Sequence, residues 1–227
     1  MDQSNKTRNM GLPVMIGIIG LVVGFAITLF SAMAYYHNKL DMAAVPTSAS
    51  KAADLRVNLV TLGLEHMTLT NQAVDAALDG SPSAGASGAA LYANGNTIGA
   101  AVGSIYGKDA ETTFDSVWKL HLDQFINYAV ADKKGDSAAK QAALNTIQTS
   151  YTVPLAQYLA KANPNLPESA LQTALTDHVN MTAMMIDDHV KGDYTAEYAD
   201  LDAANAHMKD LFSTLAGGIV TQFPSKF

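Results

Sequence analysis

FDSVWKLHLDQFINYAVADKKGD, residues 114–136, is the stretch from which the fold can be read. Phe114, Trp118, His121, Phe125 and Tyr128 recur at steps of 4, 3, 4 and 3, the period of one helix face. Lys134-Gly135-Asp136 then closes it. A glycine just past the last periodic residue suits a left-handed cap, and the aspartate suits the start of a new helix. One histidine sits in the middle of the apolar face, 14 residues before the glycine.

The same pattern occurs twice more. Leu55, Leu59, Leu62, His66, Leu69, Ala73 and Ala77 precede Gly80-Ser81-Pro82. Leu171, Ala174, His178, Met181 and Met185 precede Lys191-Gly192-Asp193. His66 to Gly80 and His178 to Gly192 are again 14 residues, and the three histidines are 55 and 57 residues apart. This is a threefold internal repeat of a helical hairpin. Tyr106-Gly107-Lys108-Asp109 and Asn163-Pro164-Asn165-Leu166-Pro167 separate the hairpins. The expected fold is all-α: a six-helix bundle of three hairpins over about 51–107, 108–163 and 165–224.

The return arms are less regular. Ser137 to Ala162 contains Pro154, which should kink the helix or remove a hydrogen bond. Tyr194 to Gln222 is long and periodic. Ala84 to Tyr106 carries Gly85, Gly88, Gly95, Gly99 and Gly103. Each glycine costs a helix about 1 kcal/mol, so this arm suits a helix least.

Ahead of the hairpins, residues 11–36 form a run of 26 without a formal charge. A membrane-spanning helix needs roughly 20. The expectation is a transmembrane anchor over 11–36, a cytoplasmic tail over 1–10 carrying Lys6 and Arg8, and a linker over 37–50. Ala32-Met33-Ala34 also fits a signal-peptide cleavage site, but the apolar run exceeds the roughly 7–15 residues of such a peptide. Either way the helical domain, residues 51–227, is placed outside the cytoplasm at the cell membrane. The membrane itself, other membrane or surface proteins, and a second copy of the chain are the expected partners.

Composition narrows the chemistry. The 227 residues carry a net charge of −7, which argues against nucleic acid. There is no cysteine, so disulfides, iron–sulfur clusters and covalent haem attachment are excluded. No GxSxG, HExxH, GxGxxG or P-loop occurs, and no enzyme activity is expected.

The histidines carry the functional expectation. Fourteen helical residues rise about 21 Å, so His66, His121 and His178 lie at one depth below their turns. His207, 15 residues beyond Gly192, returns to nearly the same depth. Imidazoles from facing helices at one level are the plan of a metal site in a bundle. The expected ligands are therefore His66, His121, His178 and His207. Met181, Met185 and Met208 are candidate additional ligands that bias the site toward copper over zinc. Glu65 and Asp177, each next to a histidine, are candidate orienters of the ligating rings. Two alternatives stay open: a non-covalent b-type haem between two of these histidines, and an interaction module with a histidine-bearing core and no ligand. Methionine at helical spacing also serves as core filler.

LVTLGLEHMTL (59–69), SVWKLHLDQFINYAVA (116–131), LAKANPNLP (159–167), LTDHVN (175–180) and AHMKDLFSTLAGGIVTQFPSKF (206–227) together resemble a family of helical modules in bacterial secreted or surface proteins. Some members carry segments labelled as copper amine oxidase N-terminal domains. The resemblance covers most of 53–227, and QFPSKF is its most distinctive piece. It implies an extracytoplasmic helical module sharing His66, His121, His178 and His207. His189 and Met184-Met185 look like departures from the family pattern.

Overall fold

The computed structural model describes residues 50–227. The expected tail over 1–10, the expected anchor over 11–36 and the linker expected over 37–50, up to residue 49, lie outside the described residues. Among the described residues, no helix is long and apolar enough to cross a membrane. All regular structure there is helical, as the periodicity requires. The elements are α1 (Lys51–Leu78), α2 (Ala84–Tyr106), α3 (Lys108–Lys133), α4 (Ser137–Ile147), a π-helical turn (Gln148–Thr152), α5 (Val153–Ala162), α6 (Glu168–Lys191) and α7 (Tyr194–Gln222). The chain runs from α4 through the π-turn into α5 without a break, which leaves six rods.

Each rod packs on the next, and α7 returns to pack on α1, so the six close into a ring. Because the reversals within and between hairpins are short, α1, α3 and α6 run in one direction, and these three also meet across the middle. Gly80, Gly135 and Gly192 end them at φ of 65°, 70° and 77°, a region glycine enters without a Cβ penalty. After the second and third of these glycines, an aspartate caps the returning helix. Asp136 accepts from the Ala139 amide at 3.0 Å, and Asp193 accepts from the Ala196 amide at 3.1 Å. Such caps are worth about 1 kcal/mol each.

The glycine-rich arm is a helix because its glycines are a packing surface. Gly95, Gly99 and Gly103 recur every fourth residue and face α3. A Cβ at Gly95 would lie 2.8 Å from the Trp118 ring, and one at Gly103 would lie 2.9 Å from Glu111 Cβ. Close approach of α3 offsets the propensity lost. Gly63 does the same between α1 and α7, where a Cβ would lie 2.6 Å from the Phe212 ring.

Pro154 has a definite consequence. It has no N–H to donate, and its ring crowds the carbonyl four residues back. The helix widens into a π-turn directly before it and then continues. Tyr151, in that turn, is 1% exposed.

The core is continuous around the ring and includes Leu59, Phe114, Leu122, Ile147, Leu155 and Val179. Burying each such side chain contributes roughly 1.5–3 kcal/mol. Polar ties hold both ends. At the glycine-capped end, Lys140 bridges Asp132 and Asp187, at 2.8 Å from each. At the other end, Tyr106 donates to Gln222 at 2.8 Å and Asn163 donates to the Tyr106 hydroxyl at 3.2 Å.

Candidate metal centre

His66, His121 and His178 project inward from α1, α3 and α6, one from each hairpin. Their exposures are 1%, 0% and 1%. Ring centroids are 5.6 Å apart for His66–His121, 5.9 Å for His66–His178 and 6.3 Å for His121–His178. One ring nitrogen from each lies within 4.8 Å of the other two. In a tetrahedral site with bonds near 2.0 Å, ligand nitrogens stand about 3.3 Å apart. Small ring rotations would close the difference.

These rings lack the partners that buried imidazoles normally have. Nδ1 of His66 and both nitrogens of His121 and of His178 are buried without a hydrogen-bond partner among the described residues. Each such orphan costs about 1–3 kcal/mol. Burial pushes the His66 pKa from 6.5 down to about 4 and that of His178 down to about 3. Burial, with His66 and His178 alongside, pushes His121 well below its ordinary value; the Trp118 carbonyl, near the ring but outside hydrogen-bond geometry, pulls weakly the other way. The three rings are therefore neutral at pH 7, the form that binds metal.

Aromatic side chains pack against two of the three rings. Trp118 lies 4.9 Å from His66 and 4.7 Å from His121, centroid to centroid. Tyr151 stacks on His121 at 4.2 Å and 19°. The π-turn thus delivers an aromatic plane to a candidate ligand, a role for Tyr151 that no linear pattern marks. Only Pro154 signalled that something irregular lay nearby. Thr70 and Thr182 sit one turn after His66 and His178 and donate to their carbonyls at 2.8 and 2.9 Å.

All three rings line one cavity of about 80 Å³ between α1, α2, α3 and α6. Trp118, Tyr151 and Met208 line a different, largely apolar cavity.

The other expected site residues stand apart. His207 reaches the right depth but the wrong side of its helix. Its Nε2–H donates to the Ala174 carbonyl at 2.8 Å, and it is only half-buried. Met208, one residue on, takes the inward position at 1% exposure. Consecutive residues on a helix point about 100° apart, and depth alone did not fix that angle. Among the described residues, no methionine lines the cavity that the three rings share. Met185 and Met208 are part of the apolar core, and Met181 packs against it. Glu65 is exposed and accepts from Asn94 at 3.0 Å, and Asp177 is exposed on the outer face of α6. Neither belongs to the histidine group.

A second cluster was not expected. His189, near the end of α6, has Nδ1 3.0 Å from Asp75 and 3.1 Å from Glu197, and Nε2 3.2 Å from Asp79. Asn71 donates to Glu197 at 2.6 Å. Burial and then the Glu197 charge raise the Asp75 pKa to about 7, against the pull of His189. Burial alone would lower the His189 pKa, but Asp75, Asp79 and Glu197 outweigh it and hold it above the ordinary value. Every polar atom of that ring faces a carboxylate, so it reads as an imidazolium clasp joining the ends of α1 and α6 to the start of α7.

Comparison with protein-family models, with curated proteins and with solved structures finds no match to this chain.

Proposed function

We propose that this chain binds a transition metal ion, copper or zinc, through His66, His121 and His178. It would serve in metal binding or delivery, or as an accessory subunit of a membrane complex, with the domain held outside the cytoplasm by the anchor read over 11–36. The observation that carries this is the convergence of buried, unpartnered ring nitrogens from three separate hairpins. A core histidine kept for packing normally has its nitrogens satisfied. An ion would satisfy one nitrogen on each ring at once.

The donor set is all imidazole, which suits both copper and zinc. The thioether argument for copper weakens, because the methionines pack elsewhere. A b-type haem fits less well. Porphyrin iron takes protein ligands from two opposite faces, whereas here three nitrogens share one focus.

The test is metal analysis of the purified full-length chain after equilibration with zinc or copper(I), beside His121→Ala. One ion per chain in the parent and loss in the variant supports the proposal. A parent that retains neither ion sinks it. A Soret band surviving purification would move the reading to haem.

A further inference from the structure

This inference rests on the metal-binding reading above and concerns what else the ion would hold. Three protein donors leave a four-coordinate ion one position to fill from outside the chain. The group contains no carboxylate. Three neutral imidazoles would leave a divalent ion with its full charge in a buried setting, and uncompensated buried charge is strongly disfavoured. An anion at the fourth position would offset part of it.

The fold supplies a route for one. The cavity shared by the three rings extends away from them along Ala73, Val74, Leu91 and Phe125 to Ala77, Ala84 and Gly88. Of these, Ala77 is exposed, while Ala84 and Gly88 are partly exposed, so on the α1 and α2 side the outer end is rimmed by small residues, with Tyr92 and the exposed Ile126 opposite. About 80 Å³ is room for a few water-sized groups, since each needs roughly 10–15 Å³. The walls are mostly apolar, which disfavours large hydrated ligands.

We propose that the tri-histidine ion is an open site that exchanges a small monodentate anion, such as hydroxide, through a passage between α1 and α2. Bulky or chelating ligands are disfavoured by the small volume beside the rings.

The probe is azide added to the copper(II)-loaded full-length chain, which should produce a saturable azide-to-copper charge-transfer band. The blocking variant is Gly88→Leu. A Cβ at Gly88 meets nothing within 4 Å, and leucine favours a helix over glycine, so the fold should hold. Ala77→Leu blocks the same rim from α1 as a second variant. Once each is brought to the parent's copper content, both should weaken or slow azide binding at least tenfold. A copper-loaded parent with no azide response overturns the inference while leaving metal binding intact. Blocked variants that bind azide like the parent overturn the passage. A parent that takes up no metal fails at the earlier reading and removes this one with it.

Discussion

At His121 and His178, side chains that ought to have partners have none, and this has a measurable cost. Replacing either by leucine puts an apolar group of similar volume in place of an unsatisfied one. The metal-free protein should gain about 1–3 kcal/mol in stability, measured by urea unfolding, while losing its metal uptake. A lower stability in these variants would mean that the imidazoles have partners in the apoprotein. The same rings set the acid limb of the stability curve. Their folded pKa values lie below the unfolded value of 6.5, at about 4 for His66 and about 3 for His178. Below 6.5 the unfolded chain takes up protons that the folded one resists. Apoprotein stability is thus fully present above pH 6.5 and is lost progressively as pH falls toward 4. Urea midpoints from pH 7 to 4 would show this decline, and it should flatten in the triple variant with all three histidines replaced by glutamine.

At the level of elements, two devices make separate predictions. The first is the α2–α3 contact. Gly95→Val would drive side-chain atoms into Trp118, which also packs on His66 and His121. Overpacking of this kind costs about 1–3 kcal/mol. It should also weaken metal binding, unlike Gly85→Ala at an open position on the same helix. The second is the clasp of His189 with Asp75, Asp79 and Glu197. Asp75 holds its proton up to about 7, against 3.8 when unfolded, so it withdraws stability as pH rises from 3.8 through 7. His189, with a raised value, contributes stability below 6.5 that is lost as pH rises through its folded value. Both signs point the same way: the clasp loosens in mild alkali. Asp75→Asn should raise Tm at pH 8 by about 2–4 °C, with a smaller gain at pH 5, the size kept modest because Asp75 is partly solvated. A Tm gain as large at pH 5 as at pH 8 would contradict the assignment.

For the whole molecule, the proposed ion, held by all three hairpins, would link binding to global stability. At about 1,000 times Kd, an ion bound only by the folded state adds about 4 kcal/mol. That corresponds to a rise of roughly 10 °C in Tm for a domain of this size. Calorimetry before and after chelation would measure it. Much of this architecture can be read from the chain itself. The stripes around His66, His121 and His178, and the constant distance to Gly80, Gly135 and Gly192, specify three forward helices in register. Other features depend on angles and distances that a linear pattern does not hold. His207 has the right depth but faces Ala174. Tyr151 reaches His121 only because Pro154 widens the helix before it. Asp75 and Asp79 sit more than 100 residues before His189 and Glu197, and no local pattern joins them. The methionines looked like ligands by proximity in the chain and instead fill the core.

The parallel course of α1, α3 and α6 has an evolutionary corollary. Each hairpin contributes one ring to the common point, and the three do so from equivalent stations. A lone ancestral hairpin bearing one such ring could have met two copies of itself about a rotational axis, with an ion on that axis. Joining the three copies into one polypeptide would relax the symmetry and free the other faces to diverge, while the point where the copies met stays the least free to change.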